Sequence, residues 1–154
     1  MDEELKMCIA LLYGDELPIA KQVDDSMPPE LACDYGKILA ARKLGVSLES
    51  IVAEAALCRC ALTNDEDDRV RVECLQQLLN IRSHLLDAVL FGLLFDQDEE
   101  MRLAAIEGLA LNRSANLKRA ASIVTNDESE RVRELMSKIC SGQTISLYFL
   151  DVPT

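Results

Sequence analysis

A seven-residue acidic phrase that returns every 31 residues constrains this chain more than any other feature. It reads Asp65-Glu66-Asp67-Asp68-Arg69-Val70-Arg71, then Asp96-Gln97-Asp98-Glu99-Glu100-Met101-Arg102, then Asp127-Glu128-Ser129-Glu130-Arg131-Val132-Arg133. The closing arginines, at 71, 102 and 133, keep that interval over both steps. A constant period in this range is the mark of stacked supersecondary units, each unable to bury its apolar face alone.

The apolar pattern around these phrases is helical, with helices expected near 49–63, 67–80, 83–95, 97–111, 114–125 and 128–140. Asp65, Asp96 and Asp127 are expected to cap the helices they precede. Asp68, Glu99 and Glu130, three places on, are expected to reach back as in a capping box. Carboxylates here also oppose the positive end of the helix dipole. That reading is preferred to a metal site, because the groups repeat identically and point into a first turn.

Equivalent positions then fall at a spacing of four along each first helix: Val70, Met101 and Val132; Cys74, Ala105 and Met136; Leu78, Leu109 and Cys140. Such a stripe is core. The second helices repeat it at Cys58, Val89 and Ala120 and at Leu62, Leu93 and Val124. Small residues at Gly92, Ala105, Gly108, Ala110 and Ala121 suit closely approaching helices.

An acidic start, a Val-Arg or Met-Arg pair and small residues on an antiparallel helix pair make residues 50–140 resemble the HEAT and HEAT-like repeat family. The resemblance implies an all-α fold, a short right-handed solenoid of antiparallel helix pairs. It also implies an Asp–Arg ladder along the stack, formed here by Asp65, Asp96 and Asp127 with Arg71, Arg102 and Arg133. These residues would hold the scaffold together and leave function open.

The flanks differ. Residues 1–48 are expected to form a divergent N-terminal helical cap, with helices near 2–13, 15–23 and 29–44 and Pro29 at a first helical position. After Gly142, the β-branched and aromatic residues of 144–152 suit an extended C-terminal tail, 141–154. Fold-back over the last helix is favoured for it; the alternative is docking on another chain, giving a homodimer through the tail. The whole is read as one domain.

Composition limits the chemistry. With 16 Lys and Arg against 27 Asp and Glu, the net charge is −11, which repels nucleic acid and anionic membrane and makes a basic protein or peptide the plausible partner. The opening residues lack a signal-peptide pattern and no apolar run would cross a bilayer, so a cytoplasmic setting with six reduced cysteines is expected. The single histidine, His84, followed by Leu85, cannot supply the His-Glu pairs of HEAT-like metal-dependent hydroxylases. Cys58-Arg59-Cys60 has the wrong spacing for zinc; by register Cys58 is the core thiol and Cys60 the exposed one. No catalytic, metal or cofactor residue is assigned.

Recognition is expected on the second-helix face that the core register leaves free: His84, Asp87 and Phe91, with Ala115, Lys118 and Ser122 one unit on. Phe91 would anchor a partner, or else pack under the preceding unit, with equal weight. The leading reading is a non-enzymatic protein-binding module (adaptor, regulator or neutralising partner) acting through the concave helix face. The alternative is a small-molecule binder or an enzyme like the bilin lyases, which share HEAT-like units.

Overall fold

In the chain's computed structural model the helices that follow the repeated phrase begin at polar caps. Residues 3–12, 29–46, 51–64 and 66–153 are described, the side chains of 29–33 excepted. The expected helix at 15–23 and the first phrase residue, Asp65, lie outside them. The elements are α1 (Glu3–Leu12), α2 (Pro29–Val46), α3 (Ile51–Leu62), α4 (Asp68–Asn80), α5 (Leu86–Leu93), α6 (Glu99–Leu111), α7 (Leu117–Val124) and α8 (Glu130–Cys140). The fold is all-helical; no described residue is in a strand, and no described helix is long and apolar enough to cross a membrane. Pro29 opens α2, where its missing N–H costs nothing.

The caps lie two residues later than the spacing alone suggests. Asp67, Asp98 and Ser129 are the N-caps, accepting from the N–H of Arg69, Glu100 and Val132. Asp96 and Asp127 instead accept the N–H of Asp98 and Ser129, at 2.9 and 2.8 Å. Each is a side-chain turn that presents the next polar residue as the cap. Asp68, Glu99 and Glu130 are thereby the first helical residues rather than capping-box partners.

The helices α5 and α7 start three residues later than expected. The preceding helix must first be closed: Arg82 and Arg113 adopt φ of 53° and 49°, and the N–H groups of Ser83 and Ser114 return to the carbonyls of Leu78 and Leu109. This is a Schellman stop with arginine at the place glycine usually occupies.

The chain divides into two compact units, 1–83 and 84–154. In the first, α1 packs on α2 and α3, and α4 packs on α2 and α3. Its core joins Cys8 and Leu12 with Ala40, Ala41 and Leu44, Ala56, Leu57, Cys60 and Ala61, and Val70, Cys74, Leu75 and Leu78. Lys37 and Glu66, 2.7 Å apart and mostly buried, tie α2 to the segment before α4. Arg71 is 1% exposed and donates to the Ala61 carbonyl at 3.1 Å.

Within α3, the register reverses the expected thiols. Cys60 is buried against Cys74, whereas Cys58 is half-buried and Leu62 is exposed. Helices α1, α2 and α4 all pack on α3, so it turns the Ala53, Ala56, Leu57, Cys60 and Ala61 face inward. Val89 and Leu93 on α5, and Ala120 and Val124 on α7, are buried as the repeat suggests.

In the second unit α6 is the centre, with α5 and α8 against it and α7 against α8. Residues from Met101 to Leu109 are all buried, so this helix has no solvent stripe. Gly108 is closely approached: a Cβ there would lie 2.6 Å from Leu90 Cδ2 and 3.3 Å from Leu150 Cδ1, so both leucines would have to shift. Gly92, by contrast, is exposed. Cys140 also departs from the core stripe and is exposed, since α8 ends there.

Candidate functional site: the α5–α7 face

The turn between α6 and α7 builds this face from the inside. Asp87, on the first turn of α5, accepts from Asn112 Nδ2 at 2.8 Å and from Ser114 Oγ at 2.7 Å. Its carboxylate therefore holds the turn, which makes it a positioning residue for the face rather than the free contact its register implies. The same turn carries Arg113 in the left-handed conformation and delivers Asn116, which forms no side-chain cap.

Lys118 and Arg119 follow on the first turn of α7, which has no acidic residue. The Arg119 guanidinium lies over the Phe91 ring, 5.9 Å from its centroid, and so joins α5 to α7 across the face. Phe91 is half-buried: part of its ring rests on the protein and part remains open. Ser122 is exposed, with Oγ donating to the Arg119 carbonyl at 2.7 Å. Lys118 and His84 are exposed.

Of the repeated arginines and aspartates within residues 84–154, Arg102 and Asp127 meet each other. Arg102 uses all five of its N–H donors: Nε and Nη2 reach Asp127 at 2.9 and 3.2 Å, Nη1 reaches the carbonyls of Asp96 and Gln97, and Nη2 also meets Glu128 at 3.4 Å. Arg133 donates to the Asp127 carbonyl. These groups are occupied in joining helices. Among the described residues no group of three or more His, Cys, Asp or Glu is placed to hold a metal ion.

The tail makes a second local construction. It folds back onto α6, where Glu107, fully buried, accepts three successive backbone N–H groups: Tyr148 at 2.8 Å, Phe149 at 3.0 Å and Leu150 at 3.1 Å. Consecutive amides converging on one anion form a nest, here with the anion supplied by the protein itself. Leu150 is buried, and Tyr148 and Val152 point to solvent.

A groove of about 280 Å³ runs between α7 and α8, lined by Ala121, Val124, Met136 and Cys140 with Thr125, Arg133 and Ser137.

Register counting found Phe91, Lys118 and Ser122 but passed over Arg119, Arg113 and Glu107. The first two were signalled by a basic pair in a first turn and an arginine at a helix stop; the third was a lone acid in the apolar run Leu103 to Leu111. Compared with protein-family models, curated proteins and solved structures, the chain matches none.

Proposed function

We propose that this protein is a HEAT-like helical-repeat module, a short right-handed solenoid, that binds a protein segment on its α5–α7 face and performs no chemistry of its own. The observation that carries this reading is the Phe91–Arg119 stack, with exposed Lys118 and Ser122 beside it on one surface. A half-covered aromatic ring held under a guanidinium is a preorganised anchor: little side-chain freedom is left to lose when a partner docks. Aromatic and arginine side chains are also those that most often dominate binding energy. The repeated Asp and Arg side chains serve the scaffold, which leaves the second-helix face for recognition. A reducing, cytoplasmic setting suits the five free cysteines among the described residues.

The test is a pair of variants in a capture experiment from the native cell. Phe91→Ala removes the anchor, and Ser122→Trp obstructs the face from an exposed position. Both are expected to lose the partner retained by the wild type while the melting temperature moves little for Ser122→Trp. A partner retained by both variants would refute the assignment of the face.

A further inference from the structure

We infer that the segment received by the α5–α7 face is acidic, carrying carboxylates around an apolar side chain, in place of the basic partner that the net charge alone suggests; this rests on the reading of that face just given. The chain has 27 acidic residues for 16 basic ones, so an unpaired cation is the unexpected case. Within residues 84–154, Arg102, Arg131 and Lys138 form ion pairs, with Asp127 and Glu128, with Glu99 and with Glu134. Arg113, Lys118, Arg119 and Arg133 form none with the described residues; Arg133 instead donates to the Asp127 carbonyl, whereas the other three lie within seven positions on the α6–α7 turn and the first turn of α7.

Their placement concentrates positive potential. Among α3 to α8, every helix but α7 has an acidic residue in its first turn: Glu54, Asp68, Asp87, Glu99 with Glu100, and Glu130. On α7 the two cations add to the positive end of the helix dipole instead of opposing it. Arg113 adds a third charge from a left-handed backbone position, where glycine would be unstrained. Phe91, half-buried under Arg119, offers the apolar floor. The complement is a segment with two or three carboxylates flanking a leucine- or phenylalanine-like side chain. A nucleic acid fits less well, because three cations must then overcome the long-range repulsion of a chain at −11.

Fluorescence anisotropy with the full chain and four labelled probes tests the inference. The probes are a twelve-residue Glu/Asp peptide around Leu and Phe, its Lys/Arg counterpart, the same acidic peptide with Ala for Leu and Phe, and a single-stranded oligothymidine. The first probe is expected to bind best. Its affinity should fall about tenfold or more in Lys118→Glu/Arg119→Glu, fall less in Arg113→Gly, and weaken with salt, as charge-complementary surfaces do. Tighter binding of the basic peptide or the oligonucleotide, equal binding to the charge-reversed variant, or no binding of any probe would overturn it. The captured native partner separates this failure from that of the parent reading. If Ser122→Trp abolishes capture while Lys118→Glu/Arg119→Glu preserves it, the face stands and its polarity is wrong. If Ser122→Trp leaves capture intact, the face itself is wrong.

Discussion

Arg102 grips Asp127 with two parallel N–H bonds, at 2.9 and 3.2 Å, in a setting where the two side chains are only 6% and 8% exposed. The geometry is the bidentate fork that makes arginine stronger than lysine at a carboxylate. Because the guanidinium also takes the carbonyls of Asp96 and Gln97, one side chain ties the loop before α6 to the joint before α8.

Breaking that pair from one side is therefore expected to be severe. Asp127→Ala should destabilise the fold by about 3 to 5 kcal/mol, because it leaves a buried guanidinium with only the long contact to the exposed Glu128 as counter-ion. Arg102→Lys should recover only part of this, lacking the fork. Urea denaturation reads both; a loss within 0.5 kcal/mol, roughly the range of ordinary surface substitutions, would contradict the geometry.

Glu107→Gln probes the tail. The amide keeps one acceptor oxygen where three N–H groups need partners, and each orphaned buried donor costs roughly 1 to 3 kcal/mol. Hydrogen exchange at Tyr148, Phe149 and Leu150 is expected to accelerate together, with global stability falling by less than full loss of the core. Deletion of 143–154 should lower solubility by uncovering Glu107 and the seat of Leu150; a stable monomer formed from a dimeric wild type would instead assign the tail to an intermolecular contact.

The cap of α4 carries a pH dependence with a definite sign. The Arg69 guanidinium hydrogen-bonded to Asp67, together with the helix N–H groups, holds its carboxyl below the usual range. A lowered carboxylate pKa contributes stability that is fully present above the unfolded value and disappears as pH falls through the folded one. In wild type, helix α4 should thus fray progressively in acid. In Asp67→Ala that step should be missing and stability at neutral pH lower by about 0.5 to 2 kcal/mol, as for other N-cap losses. Amide chemical shifts of Arg69 and Val70 against pH would show it.

Thiol accessibility distinguishes the observed α3 register from the one implied by the repeat. Cys140, exposed, should react first with a maleimide in the native protein. Cys58 should be slow, since burial and the nearby Glu54 charge push its thiol up to about 11 and leave little thiolate at neutral pH. Cys8, Cys60 and Cys74, all buried, should react only after unfolding. Fast native labelling of Cys60 would restore the rotation in which Cys58 faces the core.

Much of the architecture is legible without coordinates because it is local. The 31-residue interval, the helix-starting acids, Pro29 and the apolar stripes through Val70, Met101 and Val132 are written in spacing, and spacing sets which residues share a helix face. Phe91, Lys118 and Ser122 could be selected on the same ground. What tertiary structure alone decided is which face meets a neighbour. Cys60 rather than Cys58 is buried because three helices pack on α3; Arg119 reaches over Phe91 from α7; Glu107 is accommodated in the buried stretch of α6 because amides 41 to 43 residues along the chain come to meet it. A carboxylate's register can be counted from the sequence, but its partners are brought to it by folding, and the cost of burying it is offset only once they arrive.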